Sequence, residues 1–348
     1  MLDVKIFGWA ADNMGCGWYR VRMPLNELAR RGHETMANTI MPDEWLDTCD
    51  VLLGQRICEP GPSTAWQRIA VHPKRPLMVF DIDDDLWEVD PRSPVSYAWF
   101  SRPDVQERLR RNITVADLVT VTTETLADKV RALNPNVVVI PNFVPQAMLD
   151  LEAPERTDQR VVIGWAGSDT HVMDFEEIGP QFARFLERNS AAMLHTIGGS
   201  RQAFQERFSW AKRVDRDQWT VEDWFDDLWE YYRALGRFDI ATAPLTPHVF
   251  NRSKSWIKAL EAAARGVPIV ASDVGPYPDF VVHGETGFLL RAPHEWPTVL
   301  RDLVLDAGMR AEMGAAARDL ATRNTIEGNG HLWEQALLSQ LTGSRAAS

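Results

Sequence analysis

The sequence predicts an α/β protein with two doubly wound domains, each of them a parallel sheet between layers of helices. Short apolar runs alternate with amphipathic stretches along the chain, and strands that alternate with helices form parallel sheets. The alternation stops at a polar segment that contains Pro154, residues 149–160, and then restarts. Because 348 residues exceed one ordinary hydrophobic core, we expect domains over residues 1–150 and 151–325.

The strands are expected where short apolar runs are bounded by polar or turn-forming residues, and the helices where apolar residues recur with helical spacing. In the first domain the predicted strands are residues 4–7, 51–53, 77–80, 118–121 and 137–140, and the predicted helices are residues 24–31, 62–71, 103–115 and 124–133. In the second domain the predicted strands are residues 161–165, 193–197, 213–214, 240–243 and 269–271, and the predicted helices are residues 174–188, 201–208, 221–235, 254–265, 295–305 and 309–322.

Composition and charge favour an enzyme that handles a small ligand. The formal net charge is −12, and such a surface repels nucleic-acid phosphate unless a local basic patch compensates. Cys16, Cys49 and Cys58 have neither paired nor metal-type spacing, which predicts a reducing, cytoplasmic compartment. No uncharged apolar run approaches the ~18 residues of a membrane span, so we expect none.

Glycines follow the first predicted strand, at the edge where doubly wound sheets bind ligands. Gly15 and Gly17 precede a helix, and glycines at such a turn let a phosphate or a sugar approach the backbone amides. A dinucleotide fingerprint would carry a third glycine where Arg20 stands, which disfavours a nucleotide-dependent oxidoreductase. We assign Gly15, Gly17 and Arg20 to nucleotide binding, the alternative being that the glycines only form a turn.

Four aspartates follow the third predicted strand, in the stretch DIDDDLW that begins at Asp81. Carboxylates at this edge could act as a general base, bind sugar hydroxyls or hold a Mg²⁺ ion. Aspartate-rich turns also cap helices, but four carboxylates in five residues exceed what a cap needs. We therefore predict Asp83, Asp84 and Asp85 as catalytic candidates. A divalent metal is the less favoured interpretation, and no metal ligand is assigned.

Small residues also follow two strands of the second domain. Gly167 and Ser168 come after the first of these strands, and Gly198 and Gly199 come after the second. Free amides and hydroxyls at a helix N-terminus suit phosphate, so we predict that all four bind a nucleotide. The alternative for Ser168 is a simple helix cap. His171 lies in the same loop and is a further catalytic candidate.

The stretch NRSKSWIKALEAAARG, residues 251–266, is the strongest site signal in the sequence. Hydroxyls and cations at the start of its predicted helix favour a diphosphate. Glu261 lies roughly 10 Å further along, at 1.5 Å per residue, which suits the hydroxyls of a ribose. The alternative is a solvated amphipathic helix with an ordinary Lys258–Glu261 pair. The residues predicted to bind a nucleoside diphosphate here are Arg252, Ser253, Lys254, Lys258 and Glu261.

The chain resembles a known family, the GT-B glycosyltransferases of the large retaining group called glycosyltransferase family 4. The most specific similarity covers residues 239–290, which follow the order and spacing of the family's nucleotide-sugar segment. Residues 15–34 and 116–144 resemble its first loop and the end of its first domain. The resemblance implies two Rossmann-like domains that face each other across a cleft, with a C-terminal helix, residues 326–348, that crosses back to the first domain.

The resemblance further implies hexosyl transfer from a UDP- or GDP-type sugar, with retention, without a metal and with no cofactor besides the donor. The family carries two glutamates eight positions apart, and Glu261 matches the second, which binds the ribose. Ser253 stands at the first, which contacts the donor sugar. The family's arginine and lysine after the first strand of the second domain are missing, and Arg252 and Lys254 are expected to replace their charge.

The acceptor and two other classes of function stay open. Acceptor loops lie in the first domain of the family, and a glycan or a small molecule is expected there. A modified DNA base is the less favoured acceptor, although Arg108, Arg110 and Arg111 form a local basic strip. A sugar-nucleotide epimerase of the same fold would convert its donor without an acceptor. A non-catalytic binder would suit the serine at position 253. If the reaction inverts, the aspartates after the third strand are the candidate bases.

Overall fold

The structure is a computed structural model that describes residues 3–156, 158–167 and 169–347, and its strands form two parallel sheets. The strands of the first sheet are β1 (Lys5–Trp9), β2 (Glu34–Asn38), β3 (Val51–Gln55), β4 (Leu77–Ile82), β5 (Leu118–Val121) and β6 (Val137–Val139). Those of the second are β7 (Val161–Ala166), β8 (Ala192–Ile197), β9 (Trp219–Glu222), β10 (Ile240–Ala243), β11 (Ile269–Ser272) and β12 (Gly287–Leu290).

Both sheets have the doubly wound topology that the sequence predicts. The first sheet has the order β2-β1-β3-β4-β5-β6, and the second has the order β12-β11-β10-β7-β8-β9. In each sheet the strand order reverses beside the first strand, and ligands of open α/β sheets bind beyond the carboxyl ends at that reversal. The predicted fold class is confirmed, and the reversals lie at β1/β3 and at β7/β10.

Helices cover the faces of both sheets. Those of the first half are α1 (Gly15–Gly17), α2 (Met23–Arg30), α3 (Asp43–Leu46), α4 (Pro60–Ala70), α5 (Pro94–Phe100), α6 (Pro103–Thr114), α7 (Glu124–Val130) and α8 (Gln146–Leu149). Those of the second half are α9 (Gly179–Arg188), α10 (Arg201–Arg207), α11 (Leu228–Leu235), α12 (Val249–Arg252), α13 (Ile257–Ala264), α14 (Trp296–Leu305), α15 (Ala307–Thr322) and α16 (Ile326–Ala347). A π-helical turn, Trp18–Arg22, joins α1 to α2, and short 3₁₀ turns cover Asp169–Phe175, Ser209–Arg213, Arg216–Gln218, Tyr277–Asp279 and Pro293–Glu295.

Several elements differ from the sequence-based expectation, most of them in the second domain. The strand predicted at residues 213–214 is wrong, because Arg213 ends a 3₁₀ turn and the edge strand is β9. The helix predicted from residue 221 begins at Leu228, where the Asp227 carboxylate caps the Trp229 amide at 2.8 Å. The helix predicted from residue 254 begins at Ile257, after a separate short α12. Edge strands β2 and β12 were also missed, since an edge strand needs no continuous apolar run.

The hydrophobic core consists of three clusters, of which one joins the two halves. One cluster fills the outer face of the first sheet around Trp66, and another fills that of the second around Phe175. The third runs from Val4 of the first half to Leu260 of the second and on to Trp333 of α16. Because burial of apolar area is the main stabilising contribution, the shared cluster holds the halves together.

The C-terminal helix α16 returns from the second half to pack on α2. Arg31, the residue after α2, lies 3.2 Å from Glu334, and Arg30, the last residue of α2, lies 3.2 Å from Glu327. Both pairs link the ends of the chain. Among the described residues, no helix combines the length and the hydropathy of a membrane span.

A buried ion pair lies at the centre of the first half. Arg20, in the π-helical turn, and Asp81, in β4, are both 0% exposed, and the Nη2–Oδ2 distance is 2.8 Å. Arg20 also donates to the Ile140 carbonyl at 2.6 Å, and Thr120 donates to Asp81 at 2.7 Å. The ring of Trp333 lies 4.9 Å from the guanidinium carbon. Every charge in this cluster therefore has a partner, as burial requires.

We predict that Asp81→Asn lowers the free energy of unfolding by about 3–5 kcal/mol, because it leaves the buried Arg20 charge uncompensated. The measurement is urea unfolding followed by tryptophan fluorescence. Asp128→Asn is the matched control, since Asp128 pairs with Arg131 on the surface and should cost less than about 1 kcal/mol. Equal effects of the two variants would contradict a central role for the buried pair.

Candidate functional site

A cavity of about 460 Å³ lies between the two halves, at the carboxyl ends of both sheets. The loops after β1, β3 and β4 and the start of α5 form its first-domain wall. The loop after β7, the turn before α13, and helices α11 and α13 form the opposite wall. The strand-order reversals of both sheets thus face the same space, which is where doubly wound domains bind ligands.

Two lysines supply positive charge on the second-domain wall. Lys254 lies in the turn before α13, 4.3 Å from the Phe250 ring and 3.6 Å from Asp84 of the first domain. Lys258, the second residue of α13, lies 5.2 Å from the Trp165 ring. Burial, together with the charge of Lys254, lowers the pKa of Lys258 to about 8. A lysine that is costly to ionise without a counter-ion is well suited to an anionic ligand.

Gly167 leaves the space that Lys258 uses. A Cβ at Gly167 would lie 2.9 Å from the Lys258 Nζ atom and 2.6 Å from the Trp165 ring. Any side chain here would therefore displace the ammonium group from the loop after β7. The sequence assigned Gly167 to backbone–phosphate contacts, and the structure adds this steric reason for a glycine.

His171 and Asp174 form a polar pair beside the lysines. His171 Nδ1 lies 3.4 Å from Asp174, and Asp174 also accepts a hydrogen bond from the Asn251 side-chain amide at 3.1 Å. Burial, followed by the charges of Lys254 and Lys258, lowers the pKa of His171 to about 4. His171 is therefore neutral near pH 7 and is not a general acid at that pH.

Glu261 of α13 lies at the base of the cavity and is 6% exposed. The Tyr231 hydroxyl donates to Glu261 Oε2 at 2.9 Å, and the Tyr19 hydroxyl donates to Glu261 Oε1. Burial raises the pKa of Glu261, while the two hydrogen bonds and the charge of Lys258 oppose that rise. Tyr19 belongs to the first domain, so this carboxylate is held from both sides of the cleft.

The first-domain wall carries one arginine and the carboxylates of Asp12, Asp83, Asp84 and Asp90. Asp12 Oδ2 lies 2.7 Å from Arg56, which directly follows β3 and has a φ of 47°. A non-glycine residue in the left-handed region is often found at a functional site. Asp83 is 7% exposed, and its Oδ1 atom has no hydrogen-bond partner among the described residues. Asp83 lies beside the Cys16 thiol, and Asp84 is paired with Lys254 across the cavity.

The cavity brings together eight of the predicted site residues. These are Gly15, Asp83, Asp84, Gly167, His171, Lys254, Lys258 and Glu261. Ser168 lies outside the described residues. Gly17 is turned toward the Asp12 carboxylate, which accepts its amide at 3.0 Å. Gly198 and Gly199 lie beyond the lining, although the Trp224 ring, which does line the cavity, packs against Gly198.

Four predicted site residues are placed away from the cavity. Arg20 is not a donor ligand here, because its guanidinium is fully buried against Asp81. Asp85 is paired with Lys129 at 2.6 Å. Arg252 is exposed on the outer surface. Ser253 directs its hydroxyl to the Phe250 carbonyl at 3.0 Å.

The predicted helix start at the lysines is also corrected. Because α13 begins at Ile257, Ser253 and Lys254 lie in a turn, and the free amides of a helix N-terminus are not at Lys254. The aspartates at the end of β4 and after it do not converge on one point either. Asp81 is paired with the Arg20 guanidinium, and Asp85 is paired with the Lys129 ammonium group. Within the described chain, no group of three or more carboxylate, thiol or imidazole side chains is placed to share one metal ion.

Sequence reasoning missed much of the cavity lining, including Asp12, Tyr19, Arg56, Trp224 and Tyr231. Asp12 and Arg56 follow β1 and β3 directly, so their position after a strand was an available signal. Tyr19 lies between the assigned Gly17 and Arg20, and nothing in the sequence pattern marked Tyr231 or Trp224. Trp224 is 43% exposed, and its ring centroid lies 5.2 Å from that of Tyr231.

Comparison with known proteins agrees with this geometry. A family model described as Glycosyl transferases group 1 matches residues 160–306. The D-inositol 3-phosphate glycosyltransferase of Stackebrandtia nassauensis is 38% identical over 101 residues, which are 28% of this chain and 21% of that protein. The same enzyme of Corynebacterium diphtheriae is 44% identical over 102 residues, 29% and 22% of the two chains. The matched segment thus spans about a fifth of these relatives.

Solved structures match over nearly the whole chain. Sucrose-phosphate synthase from Thermosynechococcus elongatus superposes with a TM-score of 0.70 at 16% identity, covering 99% of this chain and 100% of that one. Anabaena HepE in complex with UDP superposes with a TM-score of 0.68 at 14% identity, covering 97% and 100%. The chain therefore has the GT-B fold, and residues 160–306 of its second half match the family model described as Glycosyl transferases group 1.

Proposed function

We propose that this protein is a glycosyltransferase that moves a sugar from a nucleoside-diphosphate sugar to an acceptor bound against the first domain. The observation that carries the proposal is the pairing of Lys254 and Lys258 with Glu261 in one buried cavity. Two cations suit a diphosphate, and an adjacent carboxylate suits the hydroxyls of a ribose. The family match of the second half supports the same class of reaction.

The donor is proposed to lie along α13. The diphosphate contacts the ammonium groups of Lys254 and Lys258 near Gly167, and the ribose donates its hydroxyls to Glu261. The base lies toward Trp224, whose exposed ring offers a stacking surface. The Trp224 ring packs against Tyr231, and Tyr231 in turn donates a hydrogen bond to Glu261. UDP is the first choice of donor nucleotide, because the HepE structure contains it, and GDP is the second.

The transfer breaks the bond between the sugar C1 and the β-phosphate oxygen and forms a bond from C1 to an acceptor oxygen. Charge builds up on the leaving diphosphate as the first bond breaks, and the two lysines stabilise it. Because this charge is neutralised by side chains, we propose a metal-independent reaction. The first domain closes the cavity and limits hydrolysis of the donor by water.

We propose retention of the anomeric configuration, in which the leaving phosphate takes the acceptor proton. The support for retention is the resemblance to the retaining family, from which Ser253 is a departure, because the family carries a glutamate at that position. The second candidate is inversion with Asp83 as general base, favoured by its unpartnered Oδ1 atom. The anomeric configuration of the product distinguishes the two, as does Asp83→Asn, which should cost about 10²–10⁴-fold in turnover only under inversion.

A glycan or a small molecule is the proposed acceptor, and a cytoplasmic location remains a prediction from the unpaired cysteines. An epimerase and a non-catalytic binder remain distinct alternatives. An epimerase would convert the sugar nucleotide without an acceptor, and a binder would release no nucleoside diphosphate. Analysis of the products formed from UDP-glucose, with and without a mixture of sugar acceptors, separates all three.

The first test is nucleotide binding by calorimetry with UDP, GDP, ADP, TDP and CMP, each with and without Mg²⁺. We expect micromolar binding of one diphosphate that does not depend on the metal. Lys254→Ala should weaken this binding at least tenfold, about 1.4 kcal/mol. Lys129→Ala is the control, because Lys129 binds Asp85 outside the cavity. Absence of binding by every nucleotide would overturn the donor site.

The second test is the pH dependence of UDP affinity. The Lys258 amine loses its charge as the pH rises through about 8, so we expect UDP affinity to fall about tenfold between pH 7.5 and 9.5. Lys258→Met, which carries no charge at any pH, should bind UDP weakly and without this pH dependence. A wild-type affinity that stays constant up to pH 9.5 would show that Lys258 does not contact the diphosphate.

A further inference from the structure

A chain of hydrogen bonds crosses between the domains three times and ends on Glu261. The Trp18 Nε1–H group donates to the Tyr232 hydroxyl at 3.1 Å. The Tyr232 hydroxyl donates to the Tyr19 hydroxyl at 2.9 Å, and the Tyr19 hydroxyl donates to Glu261. Trp18 and Tyr19 belong to the first domain, whereas Tyr232 and Glu261 belong to the second. Each donor in such a chain polarises the next, and the carboxylate accepts the last bond.

We propose that Tyr19 is a positioning residue for donor binding: supplied by the first domain, its hydroxyl holds the Glu261 carboxylate in the orientation that accepts the ribose of a nucleoside diphosphate. This inference rests on the proposed function, and it deepens that function by assigning one part of the donor site to the opposite domain. The ribose site is then complete only when the two domains are together.

The carboxylate has room for both partners. Each carboxylate oxygen accepts two hydrogen bonds, and each oxygen of Glu261 receives one bond from a tyrosine, Tyr19 on Oε1 and Tyr231 on Oε2. One acceptor position on each oxygen therefore remains for the two adjacent hydroxyls of a ribose. The tyrosines do not occupy the ribose positions. They fix the carboxylate plane and favour its ionised form, which burial disfavours.

The position of Tyr19 is set by its neighbours in the π-helical turn. Arg20, the next residue, is fixed by the ion pair with Asp81, and Trp18, the preceding residue, is tied to Tyr232. Tyr19 itself is 8% exposed. π-helical turns are rare and occur often at functional sites. A hydroxyl held this firmly by the first domain leaves Glu261 little freedom to rotate.

The test compares two probes, UDP and inorganic pyrophosphate, in calorimetric binding to the full-length protein. Tyr19→Phe removes only the hydroxyl and preserves the ring. We expect Tyr19→Phe to weaken UDP binding about tenfold, as expected for the loss of a hydrogen bond to a charged group, and to leave pyrophosphate binding within about twofold, because pyrophosphate has no ribose. A merely structural role for Tyr19 would weaken both probes equally.

A double-mutant cycle with Glu261→Gln shows whether Tyr19 acts through the carboxylate. We expect Tyr19→Phe to have little further effect on UDP affinity when Glu261 is already glutamine. Tyr277→Phe is the matched control, because Tyr277 also lines the cavity but makes no described hydrogen bond to Glu261. It should change UDP affinity less than about twofold.

Each other outcome overturns the inference in a recognisable way. Unchanged or tighter UDP binding by Tyr19→Phe would mean that Tyr19 is a bystander or a competitor of the ribose. Additive losses in the cycle would mean that Tyr19 acts elsewhere. If the wild-type protein bound pyrophosphate but not UDP, the ribose assignment would be wrong. If it bound neither, the donor site itself would fail, and with it the proposed function.

Discussion

The buried ion pair between Arg20 and Asp81 is the constraint on which the rest of the site depends. It joins the π-helical turn after β1 to the end of β4, and both segments continue directly into the cavity wall. A buried charge pair is stable only with good geometry and further hydrogen bonds. The Arg20–Asp81 pair has both. Tyr19 is adjacent to Arg20, and Asp83 is two residues from Asp81. As a result both side chains are held at defined positions on the first-domain wall of the cavity.

The two walls of the cavity differ in charge, and the proposed chemistry follows this difference. On the second-domain wall the charges of Lys254 and Lys258 are balanced by Asp174 and Glu261, whereas the first-domain wall is acidic, with Arg56 facing the carboxylates of Asp12, Asp83, Asp84 and Asp90. The walls meet where Lys254 approaches Asp84 at 3.6 Å. Electrostatic interactions are stronger in a closed, partly buried cavity than in water. In the proposed function, the two lysines therefore stabilise the leaving diphosphate, and the first-domain carboxylates offer hydrogen-bond acceptors to the hydroxyl groups of an acceptor.

Sequence patterns predicted the doubly wound fold and eight lining residues, because those depend on local rules. Strands alternate with helices, and loops after strands meet at one edge, so Asp83, Gly167 and Lys258 were found from position alone. The buried ion pair of Arg20 was not predictable in this way, since its partner Asp81 is 61 residues away in the sequence. Tyr19 and Glu261 are 242 residues apart in sequence, and only the docking of the two domains brings them together.

The turn before α13 shows how one local misreading changes the physical picture of the site. The sequence suggested a helix N-terminus whose amides would bind the diphosphate, but the turn makes contacts between the domains instead. Thr123 of the first domain donates to the Ser253 carbonyl at 3.0 Å, and Asn142 donates to Ser255 at 3.0 Å. Because α13 begins at Ile257, its first turn carries Lys258, and a diphosphate in the proposed donor site would meet both free amides and lysine side chains. Backbone amides keep their partial charge at every pH, whereas the Lys258 amine loses its charge as the pH rises through about 8. The pH dependence of donor binding is therefore expected from Lys258 and not from the amides beside it.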